Sequence, residues 1–303
     1  MIIVNPHSAQ VITPDLLMTI KKTTVISIFS DDDLFDLFVL KGGNAMDLIH
    51  KVSSRASVDL DFSTGGSLDI DVVEPKVKQS IENGFNEIGY LAFDLKMTPK
   101  PKENLPSVLA SFWGGYAVEF KIISLTNANK LNRNIDNMRR QAINLGEGTK
   151  FTIDISCHEY IEGKQKRYLE EHTVYVYSPE MIVCEKLRAI CQQMPEYAEI
   201  IQRKGPERQR AKDFVDIETL IRGYQIDLTR PDLQEILRQI FEAKKVPLDF
   251  LAKISNPEIK SFHQGDFDSV RDTVLPNVTL QSFEYYFNFI ANEVDKLKPV
   301  WDK

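Results

Sequence analysis

The hydrophobic positions change period along the chain. Leu17 and Ile20, then Leu34 and Leu37, recur at helical spacing, and Thr13-Pro14 is a start signal, so helices are expected over 13–29 and 31–38. "SVDLDFS" alternates and reads as a strand, and Val77, Ile81, Phe85 and Ile88 then place "PKVKQSIENGFNEIG" on a helix. "YLAFDLKMT" reads as a strand and "PKPKENLP" as a loop. "SVLASFWGGYAVEFKIIS", residues 107–124, reads as a hairpin turning at Gly114-Gly115. A polar, helical 127–144 follows, then strands in "KFTIDISCHEY" and "HTVYVYS" around a turn-like "EGKQKR".

Past Ser178 the period is helical throughout. Ser178-Pro179 is an N-cap signal, and Met181, Cys184, Leu187, Ala189 and Ile190 stripe the helix behind it. Further helices are expected near 208–222, 231–244, 266–274 and 279–297. The chain therefore divides near residue 175 into a mixed α/β lobe, 1–175, and a helical lobe, 176–303.

Within the first lobe one stretch gathers polar residues with a common chemistry. Gly42-Gly43 stand where an apolar run feeds a helix carrying Ala45, Leu48, Ile49 and Val52. Free N–H groups and the helix dipole make such a place attractive to a phosphate, although a glycine pair alone is more often an ordinary turn. Lys41 and Asn44 flank the pair. In a strand, Asp59 and Asp61 share a face, with Leu60 and Phe62 on the other. Side-by-side carboxylates repel unless a cation joins them, and hard oxygens of this kind suit Mg²⁺ beside phosphate. Acidic pairs at this spacing are common, and Asp31/Asp33 and Asp69/Asp71 are decoys; strand context and the glycine-led helix single out Asp59/Asp61. Arg55 and Ser57 share their strand face, to touch phosphate or to bridge to the loop. Glu119, between Val118 and Phe120, is a candidate third carboxylate, with a solvent-facing glutamate as the competing reading and Lys121 on the same face.

Composition narrows the class. The 303 residues carry a net charge of −7, 43% hydrophobic and 27% charged residues, as a globular protein does. No apolar run is long enough for a membrane span, no secretion signal opens the chain, and three cysteines without C-x-x-C spacing fit a reducing cytoplasm. The acidic balance argues against coating nucleic acid through a global field, but "RKGPERQRAK", 203–212, and "KQKR", 164–167, are local basic clusters, read either as an RNA-facing groove or as solvated loops.

The segments "LKGGNAMDL", "RASVDLDF", "YSPEMIVCEKLRAI" and "RAKDFVDIETLI", in that order across 38–222, resemble the AbiEii toxin family of type IV toxin–antitoxin systems, which includes the MenT toxins. The resemblance implies an α/β nucleotidyltransferase lobe, a mixed sheet with flanking helices, joined to a mainly α-helical lobe. It implies Mg²⁺-dependent transfer of a nucleoside monophosphate from an NTP, with release of pyrophosphate; in the MenT branch the acceptor is the 3′ end of tRNA. One or two Mg²⁺ ions, or Mn²⁺, would be held by Asp59, Asp61 and Glu119. The nucleotide would lie on Lys41, Gly42, Gly43, Asn44, Arg55 and Ser57. The family's essential Lys and Asp match Lys186 and Asp213. Lys186 would offset triphosphate charge, with Arg188 competing for that role and a solvated surface lysine as the plain alternative. Asp213 would orient Lys186 or the nucleotide, while Asp216 touches nucleotide or braces its helix. Asn44 departs from the Ser or Thr usual in the family. A type IV antitoxin need not touch its toxin, so no docking surface is implied.

The expected function is therefore a growth-inhibiting nucleotidyltransferase acting on tRNA or other RNA. The alternatives are a non-catalytic nucleotide-binding module, and nucleotidyl transfer to a protein or small molecule.

Overall fold

Seven strands form one mixed sheet: β1 (Val39–Lys41), β2 (Leu60–Ser63), β3 (Tyr90–Lys100), β4 (Gly115–Ser124), β5 (Phe151–Ser156), β6 (Gln165–Leu169) and β7 (His172–Val176). Their spatial order is β3-β4-β5-β2-β1-β7-β6. The computed structural model describes residues 12–102, 105–145, 148–276 and 278–301. Strand β2 runs parallel to β5 and antiparallel to β1, and β1 runs parallel to β7. The central strands are short and their inward residues apolar, which suits strands covered on both sides.

Helices Pro14–Phe29 and Ile70–Glu87 pack together beside the sheet, the second burying Val73, Val77, Ile81 and Phe85. Ile88, expected on that face, lies past the helix end and is 39% exposed. The two decoy pairs have a structural explanation: Asp31 and Asp69 are N-caps, accepting from the N–H groups of Asp33 and Leu34, and of Asp71.

Among the described residues after Val176 every regular element is helical. Helix Pro179–Cys191, capped by Ser178 accepting from the Met181 N–H, packs against Ala211–Tyr224 and Pro231–Glu242. The apolar core is continuous across both halves, from Leu40 and Phe62 under the sheet to Phe214 and Phe287 among the helices.

Four local expectations are corrected. The 107–124 hairpin does not form: Ser107–Ala110 is a helical turn, and β4 begins at Gly115, pairing with β3 and β5 instead. A Cβ at Gly115 would strike the Ile155 carbonyl, so this glycine serves close strand packing rather than a turn. The turn-like "EGKQKR" is only half turn, since Gln165-Lys166-Arg167 open β6. The loop expected from Pro99 starts later: Pro99 and Lys100 end β3, an edge strand where proline's missing N–H does no harm. The helix behind Gly42-Gly43 is a single α-turn, Gly42–Asn44, continued by a π-helical turn, Ala45–His50, that ends with Lys51 left-handed at φ 55°.

Candidate functional site

Between the sheet and the helical half lies a cavity of ≈1060 Å³. Its sheet wall is fixed by strand register. Lys41 stands opposite Asp61, Asp61 opposite Asp154, and Asp154 opposite Ala117. Residues opposite one another point to one face, so these four form a row across four strands. Gly42, next to Lys41, has φ +70°, and a Cβ there would collide with the Asp61 carboxylate. Glycine thus lets the helix start lie directly on Asp61.

Asp61 and Asp154 both line the cavity. Burial pushes the Asp61 carboxyl up to about 6; Lys41 and Lys212 oppose the shift, while Asp154 and Glu185 add to it. Among the described residues Asp61 has no hydrogen-bond or ion-pair partner, whereas Asp154 pairs with Lys100.

The other two expected carboxylates lie elsewhere. The chain bends at Asp59, so β2 starts one residue later and Asp59 is exposed, outside the cavity lining. Asn44 is fully buried and its amide donates to the Asp59 carbonyl at 2.5 Å, which sets that bend; Asn44 does not line the cavity either. Glu119 stands opposite Thr152, two residues along β4 from Ala117, or about 7 Å. Its carboxylate pairs with Lys150 at 2.7 Å and is 39% exposed, so Asp154, not Glu119, is the carboxylate beside Asp61. Ile153 and Ile155 flank Asp154 in "TIDIS" as apolar residues flank Asp61 in "VDLDF". That alternation was the available signal; strand order, which sequence does not display, decides between the two candidates.

The helical wall is a chain of buried ion pairs. Lys186, 4% exposed, lies 2.8 Å from both Asp213 and Asp216. Asp216 also takes two bonds from Arg55, at 2.9 and 2.6 Å, and Asp213 pairs with Arg210. Burial works against all these charges, yet each carboxyl is held below its usual range, Asp213 by Arg210 and Lys186 and Asp216 by Lys186 and Arg55. Asp213 and Asp216 in turn raise Lys186, against burial and Arg55. Arg55, Lys186 and Asp213 line the cavity, and Asp216 stands behind them. His263 is buried with its Nδ1 accepting from the Arg210 N–H, and burial lowers it to about 4, so this brace stays neutral near pH 7.

A second buried cluster joins the two walls. Glu159 lies 3.0 Å from Arg188, 3.4 Å from Lys41 and 3.7 Å from Lys244. Burial opposes its charge, but Arg188, Lys244 and Lys41 hold Glu159 down at about 2. Lys41 is thereby engaged, and also donates to Ser156 Oγ at 3.2 Å. The basic stretch 203–212 closes the cavity rim with Arg203, Lys204, Arg208, Arg210 and Lys212, while Gly42, Gly43 and Ser57 complete the lining near Asp61.

A family model described as "Nucleotidyl transferase AbiEii toxin, Type IV TA system" matches residues 25–289. The chain belongs to the AbiEii family. As an AbiEii protein it is a member of a nucleotidyltransferase toxin family, and Asp61, Lys186 and Asp213 all fall within the matched region. Among solved structures it is similar to the nucleotidyltransferase toxin MenT4 of Mycobacterium tuberculosis H37Rv, with 11% identity, TM-score 0.49, and 95% of this chain and 87% of that one covered. An antigenic nucleotidyltransferase-like protein from Paracoccidioides brasiliensis shows 15% identity and TM-score 0.33 over 74% of this chain and 92% of that one. At these values neither structure bears on the chemistry of the site. No curated protein matches the chain. Among the described residues no helix is long and apolar enough to cross a membrane.

Proposed function

We propose that this AbiEii protein transfers a nucleoside monophosphate from an NTP to the 3′ end of an RNA, tRNA foremost, releasing pyrophosphate and acting as a growth-inhibiting toxin. The observation that carries this reading is Asp61, without a hydrogen-bond or ion-pair partner among the described residues, lying on the glycine that starts a helix, with Asp154 beside it and a basic rim opposite. Anion and cation sites thus adjoin within one cavity.

The donor set suits a divalent cation of the magnesium kind. Mg²⁺ takes one or two carboxylates and completes its shell with water and substrate phosphate. Asp61 and Asp154 are such a pair, and the upward shift of Asp61 is what an unneutralised buried carboxylate shows. Among the described residues no group of three or more His, Cys, Asp or Glu is arranged for a metal. Mg²⁺ held there would supply neutralisation of phosphate charge.

The remaining chemistry belongs to the chain. The N–H groups at Gly42 and Gly43 and the Ser57 hydroxyl receive phosphate oxygens. Lys186 keeps its charge between two aspartates and so holds Asp213, Asp216 and Arg55 in place rather than moving onto substrate. Asp61 and Asp154 orient the acceptor hydroxyl, and the position of Asp154 is supported over that of Glu119 by register. The rim 203–212 receives the RNA backbone, and its five basic residues give an acidic protein a local site for it.

Incubation with each labelled NTP, Mg²⁺ and total RNA tests the proposal. Labelled bands of tRNA size are expected; label on protein or none at all would overturn the RNA acceptor. The exposed Asp59 favours a second reading, a nucleotide-binding module without turnover, whose signature is NTP binding with no pyrophosphate release on any RNA.

A further inference from the structure

The "WGGY" stretch, 113–116, has no part in the phosphate chemistry, yet it lines the cavity. Gly115 stands opposite Ser156, one row along the same sheet face from Asp154. Gly114 precedes it at φ +122°, and Trp113 lies immediately beyond. A row is two residues, about 7 Å, and two further residues reach at most about 7 Å more. The route from Asp154 to the indole therefore runs over two residues without side chains.

Trp113 is half-buried and held by two neighbours. Its ring meets Tyr197 edge-on at 5.9 Å, and the Lys244 ammonium lies 5.6 Å from its centroid. That ammonium also donates to the Phe112 carbonyl at 3.3 Å, fixing the backbone next to the indole. Pro101, Leu105, Pro106 and Leu109 continue the wall as an apolar surface. Among the described lining residues, Trp113 and Tyr116 are the only aromatics, and the Tyr116 hydroxyl is turned to the Leu68 carbonyl at 3.4 Å.

We propose that Trp113 is the stacking platform for a nucleobase, with Gly114-Gly115 as the bare floor over which the sugar passes from Asp61 and Asp154 to the indole. The inference deepens the nucleotidyl-transfer reading and rests on it. A flat base on a rigid indole gains about 1–3 kcal/mol, largely independent of base identity. The base belongs to the incoming NTP or to the acceptor's last nucleotide, and the arms of the test separate these.

The chain has two tryptophans, Trp113 and Trp301, so a Trp301→Phe protein reports on Trp113 alone. Its emission is read during titration with each NTP plus Mg²⁺, and separately with a CCA trinucleotide; calorimetry records binding in parallel. Saturable quenching by NTP is expected, and quenching by the trinucleotide alone assigns the base to the acceptor. Trp113→Leu raises KM for the quenching partner roughly 5- to 100-fold with little change in kcat, and Trp113→Phe restores most of it. If calorimetry shows both ligands binding while emission and both KM values stay unchanged, the platform is wrong and the transfer reading stands. If neither ligand binds, both fall.

Discussion

The two walls of the cavity treat charge in opposite ways. On the helical wall every buried charge is answered: Lys186 by two aspartates, Asp216 by Lys186 and Arg55, Asp213 by Lys186 and Arg210. On the sheet wall Asp61 has no partner among the described residues and a carboxyl raised to about 6. A satisfied network holds shape, because removing one member strands the others. An unsatisfied carboxylate beside a second one is the arrangement proposed above to hold a divalent cation. Structure and chemistry are thus divided between two halves of one cavity, and each side predicts a different failure when altered.

The largest expected effect is on the sheet wall. Asp61→Asn is expected to lower nucleotidyl transfer by roughly a thousandfold, the scale of removing a preorganised charge at a reacting centre. Its Tm should hold or rise, since a strained charge is removed; a large fall in Tm together with activity would erase the contrast. On the helical wall, Lys186→Met should act first on stability. It leaves Asp213 and Asp216 short of a cation and is expected to cost about 3–5 kcal/mol in urea unfolding. Unchanged stability with lost activity would instead make Lys186 a direct substrate ligand.

Neutralising Arg208 and Lys212 together should weaken RNA binding by roughly tenfold and lower the slope of log K against log salt by about two, with NTP affinity less affected. A loss confined to the nucleotide, with RNA binding unchanged, would instead assign these residues to the triphosphate. The smallest effect is in pH. In the proposed transfer Asp61 acts as the ionised carboxylate, so log kcat/KM is expected to fall with unit slope as pH drops below about 6. Asp154→Asn should move that break to lower pH, because Asp154 adds to the Asp61 shift. Stability at the other cluster falls in the same direction, at lower pH. Glu159 is lowered to about 2, so what it contributes is present above about 4.5 and is lost as pH falls toward 2, a loss absent from a Glu159→Gln protein.

Local readings failed where tertiary contact outweighed local pattern. Gly114-Gly115 have the composition of a hairpin turn, but the strand they start pairs with Ile155 and Ser156, residues forty positions away in sequence. Asp59 alternates with Asp61 as strand residues do, yet the Asn44 amide takes its carbonyl and bends the chain one residue before the strand. Glu119 and Asp154 have equivalent flanks, and only strand order distinguishes them. Lys186 has the look of one cation on an apolar helix; that helix is buried on nearly all sides, and its charge is affordable only because two aspartates from another helix meet it.

By itself the sequence determined the change from mixed to helical structure and that Asp213 and Asp216 share one helix face, because periodicity and caps are local and i, i+3 neighbours share a face, while the link between "CEKLRAI" and "RAKDFVD" came from the family resemblance. Only the tertiary structure decided that Asp154 joins Asp61, that Lys186 is locked in place, that 203–212 forms a rim, and that Trp113 faces the same cavity. Those facts depend on which strands are neighbours and which helices cross above them, and such contacts between distant residues leave no periodic trace in the chain.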